Sequence, residues 1–161
     1  MSRGVAGLLA PVVPATWRAA PPYRGPVRKR DVVDHTLQRR AVLQQLFGGG
    51  MFCTTSSYDV CDASPHLKSA AKAYGARPER TCPVCRREPL WEVAWVYGDA
   101  LGDGSGIARS ARQVAALAQT RPDFAVYEVE FCQSCGWNHL VRSFRTGTPG
   151  TPPARRSRKD P

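Results

Sequence analysis

No run of about twenty apolar residues occurs in the 161-residue sequence, so none of it reads as a transmembrane helix. The phosphate-binding loop, the H-E-x-x-H zinc motif and the G-x-S-x-G nucleophile elbow are also missing. The enzyme classes that carry those signatures therefore find no support. Histidine is scarce, at three residues, and lysine numbers four against nineteen arginines, a bias that fits a GC-rich coding genome. Acidic residues are absent from positions 1–30, which hold six basic ones. Residues 147–161 repeat the imbalance: Arg155, Arg156, Arg158 and Lys159 stand against Asp160 alone. Of the net charge of +10, the body from 31 to 146 thus holds only +1. Four thiolates on one zinc ion would bring that to about −1. The alkaline character belongs to the two ends, and it argues for non-specific, salt-sensitive attraction through them. It does not argue for a basic face on the body.

What is present divides the chain into four stretches. Residues 1–29, rich in proline, arginine and alanine, read as a disordered basic leader. Arg3 followed by the apolar stretch Gly4–Ala15 faintly resembles a secretory signal, but Pro11 and Pro14 break it and no clean small-x-small site follows. A start codon assigned upstream of the real one is a third reading. Residues 147–161 read as a disordered basic tail. Between them, residues 30–76 form a helical portion. Val33, Leu37 and Ala41, then Leu43, Leu46 and Phe47, predict a helix over Asp31–Phe47 that Arg39 and Arg40 interrupt and Gly48-Gly49-Gly50 ends. A short helix follows, with Ser57 as its cap. Ser64 and Pro65 then open a clearer one, in which Leu67, Ala70, Ala71 and Tyr74 form one stripe and Gly75 is the stop.

Residues 80–146 change period. Trp91, Val93, Trp95 and Tyr97 alternate along a strand, and Gly98–Gly106 is a turn rich in glycine and aspartate. Ile107–Gln119 reads as a helix with Ile107, Ala111, Val114 and Ala118 on one face, stopped by Pro122. Strands are expected at Phe124–Phe131 and Trp137–Phe144, the latter with Leu140 and Phe144 on one face and Trp137 and Val141 on the other.

The chemistry lies in two cysteine pairs, C-P-V-C at Cys82 and Cys85 and C-Q-S-C-G-W at Cys132 and Cys135. Two residues between thiolates let a tight turn aim both sulfurs at one ion, and two such turns supply the four soft ligands that tetrahedral zinc prefers. Gly136 suits the second turn, where a positive φ relaxes the loop. The 46 residues between Cys85 and Cys132 exceed the usual spacing, and a strand–helix insertion accounts for them. Disulfides, a redox pair or an iron site compete with this reading. Pro89 argues against the helix that a thioredoxin-like thiol requires. A closed four-cysteine site leaves no position for water or substrate, so its metal would be structural.

Other candidates are less specific. Cys53 and Cys61 read as packed thiols. His66 and His139 are open to contact a partner or a second metal. Asp99 and Asp103 flank the glycine-rich turn, which recruits aspartate in any case. Trp91, Trp95 and Trp137 read as core; if exposed, they are suited to stack on nucleobases. The three N-terminal helices admit a helix-turn-helix with Lys68, Lys72 and Arg77 on its last helix, although a plain bundle packed on a sheet is the commoner arrangement.

The strings V-V-D-H-T-L-Q-R-R-A-V-L, V-C-D-A-S-P-H-L-K-S-A-A, C-P-V-C, V-Y-G-D-A-L-G and C-Q-S-C-G-W-N-H-L-V-R-S-F, in that order, resemble a family of small uncharacterised actinobacterial proteins with a zinc-ribbon-like half. The resemblance covers about 31–146. It implies that Cys82, Cys85, Cys132 and Cys135 are shared metal ligands and that members begin near Val32. This chain has Ala-Ser-Pro-His where the family is expected to place a histidine before the proline, so no histidine role is carried over there. The family is one of unknown function and supplies no activity.

These readings converge on an α+β fold, a helical N-terminal portion packed on a small antiparallel zinc-ribbon-type sheet with an inserted helix. The expected function is a non-enzymatic, cytoplasmic module that holds one structural Zn2+ and docks a macromolecular partner, nucleic acid or the transcription or translation machinery, by fold-level analogy. The alternatives are a small enzyme using Asp99, Asp103 or His139 beside the ribbon, and a zinc-thiolate redox switch.

Overall fold

The computed structural model describes residues 27–48 and 55–149. The expected leader and tail fall almost wholly outside the described residues, as does Cys53. The elements in order are β1 (Arg30–Asp34), α1 (Thr36–Phe47), α2 (Ser57–Val60), α3 (Pro65–Tyr74), β2 (Trp91–Tyr97), a 3-10 turn (Asp99–Gly104), β3 (Ile107–Arg109), α4 (Ala111–Thr120), β4 (Phe124–Phe131) and β5 (Asn138–Thr146). All five strands join one antiparallel sheet in the order β1-β5-β4-β2-β3. The architecture is α+β, as expected, but the sheet is larger than two knuckles and their strands.

Strand alternation gives the sheet two faces with different covers. On one face Val93 and Phe131 pack under Leu67, Ala70 and Ala71 of α3, with Trp91, Trp95 and Val129 alongside. On the other, Val96, Phe124, Val126 and Phe144 pack against Val114 and Leu117 of α4. Helix α3 forms as its sequence directs: Ser64 Oγ accepts the Leu67 amide at 3.2 Å and Pro65 takes the first turn. Gly75 follows it in extended backbone (φ −71°, ψ 153°), so it stops the helix without the left-handed turn. Helix α2 is capped by Ser56, one residue earlier than expected.

Three expectations are corrected. Arg30–Asp34 is a strand, not the start of a helix. It pairs with the edge of β5 through Val33–Ser143 and Asp34–Arg142, and the Asp34 carboxylate accepts the Thr36 amide at 2.7 Å, so α1 begins only there. Leu37 accordingly points to solvent, while Arg39, Val42, Leu43 and Leu46 turn inward. Arg39 thus lies on the packed side of α1 and does not interrupt it. Ile107–Arg109 is likewise a strand, since Ser110 caps α4 through a reciprocal pair of hydrogen bonds with Gln113. In β5 the register slips at Val141, because Glu128 pairs with Arg142 and Val129 with Leu140. This bulge puts Leu140 and Phe144 on opposite faces, where strict alternation predicts one.

Helices α1 and α3 approach opposite faces: α1 reaches Glu130, whereas α3 packs over Val93 and Phe131. They are not juxtaposed as a helix-turn-helix. No helix among the described residues is long and apolar enough to cross a membrane.

Candidate metal centre

Residues 80–90 form a hairpin, held by Leu90 N–H donating to the Arg80 carbonyl at 2.8 Å, with C-P-V-C at its tip. The second pair lies in the connection from β4 to β5. Trp91, Phe131 and Asn138 are register neighbours across β2, β4 and β5, so both turns emerge at one end of the sheet. The intervening strands β2, β3 and β4 and helix α4 account for the long spacing.

The two turns close alike, the first one residue wider than the second. Cys82 N–H donates to the Glu88 carbonyl and Cys132 N–H to the Trp137 carbonyl, both at 2.8 Å. Arg86 N–H closes on the Cys82 carbonyl and Gly136 N–H on that of Cys132, both at 3.1 Å. Arg86 and Gly136 both adopt positive φ, 54° and 82°. The amides of Val84 and Cys85 face the Cys82 sulfur, and those of Ser134 and Cys135 face the Cys132 sulfur.

The four Sγ atoms lie within 4.8 Å of one another. Cys82 and Cys135 are 3.6 Å apart, as are Cys85 and Cys132. A tetrahedron with metal–sulfur bonds of about 2.3 Å has edges of about 3.8 Å, whereas a disulfide needs about 2.05 Å. All four cysteines are free. The structure thus brings together every predicted ligand at separations suited to a single ion.

Burial disfavours bare thiolates at three of the four positions. Burial pushes up the thiols of Cys82 and Cys132, and that of Cys135 to about 12. Burial also weighs most at Cys85, but the Arg87 and Glu88 amides and the neighbouring sulfurs outweigh it and bring that thiol to about 7. Buried thiolates are unfavourable without compensation, and a bound metal supplies it. The donor set, all sulfur and backed by amides, fits a soft or borderline ion.

Around this centre lies a buried polar group that the sequence reading missed. Glu130 is fully buried; its Oε1 accepts Arg39 Nε at 2.5 Å and Trp137 Nε1 at 3.0 Å. Its Oε2 has no hydrogen-bond partner, with Arg80 Nη1 at 3.8 Å. The signal was an arginine in phase with Val42, Leu43 and Leu46, and a glutamate at an inward position of β4.

The remaining candidates separate. Cys61 sits against the Cys135 sulfur, outside the four-sulfur group. His139 stacks on Trp137 at 5.9 Å between ring centres. His66 lies over Trp95 at 5.1 Å and is not part of the four-sulfur group. Asp99 and Asp103 are exposed on the 3-10 turn. Trp137 is core, as expected, but Trp91 and Trp95 are only half-buried.

Fold and site together define a mixed helix-and-sheet protein with a four-cysteine cluster able to hold a metal ion. Residues 27–160 match the family of unknown function DUF5318, and the chain belongs to that family. Its relatives include the uncharacterized proteins Rv0049 of Mycobacterium tuberculosis (strain ATCC 25618 / H37Rv) and Mb0050 of Mycobacterium bovis. Each is 44% identical over 123 residues, which cover 75% of this chain and 87% of the relative. No solved structure matches the chain.

Proposed function

We propose that the four cysteines hold one structural zinc ion in a zinc-ribbon-type centre, and that the protein is a non-enzymatic module that docks a macromolecular partner. The observation that carries this reading is the sulfur tetrahedron itself. Four thiolates fill the coordination sphere of zinc, leaving no position for water or substrate. The ion then serves to fasten the hairpin 80–90 to the β4–β5 turn, tying two strands of one sheet end. The exposed setting of Asp99 and Asp103 weighs against the small-enzyme alternative, because a solvated turn offers no water-excluding cleft.

The test is native mass spectrometry with elemental analysis on the whole chain, purified without chelator or added metal. One zinc per chain, lost together with folded structure on chelation, is the expected result. A metal-free chain with cysteine masses lowered in steps of about two daltons per disulfide would overturn it. For docking, the salt dependence of partner binding distinguishes phosphate contacts, with a steep slope, from a protein surface with a shallow one.

A further inference from the structure

A fifth sulfur stands beside the four. Cys61 is the residue that ends helix α2, and it packs in the same cluster as Cys82, Cys132 and Trp137. Its thiol is in hydrogen-bond contact with the Cys135 sulfur, yet it lies outside the group that one ion can share. The contact is supported by the backbone on both sides. The Ala63 amide donates to the Gly136 carbonyl at 3.0 Å, and Asn138 Nδ2 donates to the Asp62 carboxylate at 2.8 Å. The Cys61 carbonyl oxygen is so close to Gly136 that a Cβ there would stand 2.7 Å from it. Residues 61–63 are thus strapped along the second cysteine turn, and the strap holds Cys61 against the residue just before Gly136.

Access divides these sulfurs. Cys82 and Cys132 are buried, whereas Cys61, Cys85 and Cys135 are half-buried. An oxidant in solution therefore meets the second cysteine of each pair first. At Cys135 it meets a ligand with a thiol beside it that holds no metal. Cys82, Cys85 and Cys132 are engaged when an ion is bound, so Cys61 is the sulfur at hand to react with an oxidised Cys135. An accessible thiolate next to a resolving thiol is the arrangement that oxidises reversibly. We infer that Cys61 and Cys135 form an oxidation site, at which a hydroperoxide produces a disulfide and the centre gives up its metal. In the first step the Cys135 thiolate attacks a peroxide oxygen. The O–O bond breaks, Cys135 becomes a sulfenic acid, and the departing oxygen takes a proton from water. In the second, the Cys61 sulfur attacks the Cys135 sulfur. The S–O bond breaks, and the hydroxyl leaves as water with the proton of Cys61. The sulfurs are oxidised by the pair of electrons that the peroxide gains. Three of the four ligands then remain, and the hairpin 80–90 loses its tie to the β4–β5 turn. The inference rests on the four-cysteine centre proposed above and names its regulation.

The experiment treats the full-length, zinc-loaded chain with hydrogen peroxide beside a chromogenic zinc chelator, at a chelator level that leaves the untreated chain loaded. Alkylation and peptide mapping of the same samples locate the disulfides. Zinc release in step with a Cys61–Cys135 disulfide is expected, and dithiothreitol with added zinc should restore metal content and melting temperature. Cys61→Ser keeps all four ligands, so its zinc content and melt should match those of the parent, while its peroxide-driven release slows severalfold. Cys61→Ala should behave alike, which separates loss of the thiol from any effect of the new hydroxyl. A disulfide joining Cys135 to another cysteine, zinc retained after the Cys61–Cys135 disulfide has formed, or release at the parent rate in both variants would overturn the inference and leave the zinc centre standing. A chain that holds no zinc before peroxide is added would overturn the centre itself, and this inference with it.

Discussion

The two cysteine turns are closed by backbone hydrogen bonds of the same kind and differ in almost everything around them. The first is the tip of a hairpin. Its positive-φ residue is the exposed Arg86, and its second thiol is brought to about 7. The second is embedded. Its positive-φ residue is Gly136, where a Cβ would stand 2.7 Å from the Cys61 carbonyl oxygen, and its second thiol is pushed by burial to about 12. Gly136 also accepts the Ala63 amide at 3.0 Å, which ties the N-terminal segment to this turn. Trp137 follows directly, fully buried against Glu130. One turn is therefore built into the core and the other is delivered to it, and the four-cysteine cluster is where they meet.

That asymmetry is most exposed by removing a ligand. Cys132→Ser puts a hydroxyl at a fully buried position and frees the embedded turn. We expect it to abolish both metal retention and a cooperative melt. Cys85→Ser, at the hairpin tip, should weaken metal binding yet leave a native-like melt for the sheet. Circular dichroism with metal analysis reads both, and equal loss in the two variants would break the comparison. The next largest effect is at the buried carboxylate. Arg39→Ala leaves Glu130 charged and underpaired and should lower stability by about 3–5 kcal/mol. Arg80, on the hairpin side, is 46% exposed; it pairs with the similarly accessible Glu92 and stands 3.8 Å from the free Oε2 of Glu130, so Arg80→Ala should cost less than Arg39→Ala. Urea titration of the two variants gives the contrast directly.

The positive-φ pair sharpens the point at smaller scale. Gly136→Ala combines left-handed strain with the Cys61 clash and should cost at least about 2 kcal/mol. Arg86→Gly relieves strain at an exposed site and should be neutral or stabilising, by up to about 1 kcal/mol. Thermal melts with zinc present would reveal a matched response if the turns were equivalent.

The clustering of the four cysteines and most of the helix α3, strand β2 and strand β4 boundaries were legible, because they depend on local signals: two-residue spacings, a capping serine before proline, strict alternation. What escaped depends on partners distant in sequence. Arg30–Asp34 becomes a strand because β5 has a free edge for it. Arg39 looks like a flaw in an apolar stripe until Glu130, ninety-one residues on, is placed beneath it. The bulge at Val141 re-aims Leu140, which no alternation pattern reports. Trp95 reads as core in the sequence and is half-buried in the fold, since sequence does not say where α3 ends its cover.

The embedded turn should also leave a trace in pH. His139 lies two residues beyond Trp137, stacked on it, and burial lowers its pKa below the ordinary 6.5 despite the opposing pull of the His35 carbonyl and Glu130. The unfolded chain therefore takes up a proton at a higher pH than the folded one. Stability from this group is intact above the ordinary histidine range and declines as pH falls through it. His139→Gln removes that dependence, so the stability of the wild type should fall more than that of the variant between about pH 7.5 and about pH 5.5. Excess zinc in both samples makes proton competition at the thiolates common to the two, and their difference isolates the ring. The effect should be the smallest of the four. Parallel pH profiles would mean that His139 is solvated when folded, and that the embedded turn is less enclosed than its packing against Trp137 indicates.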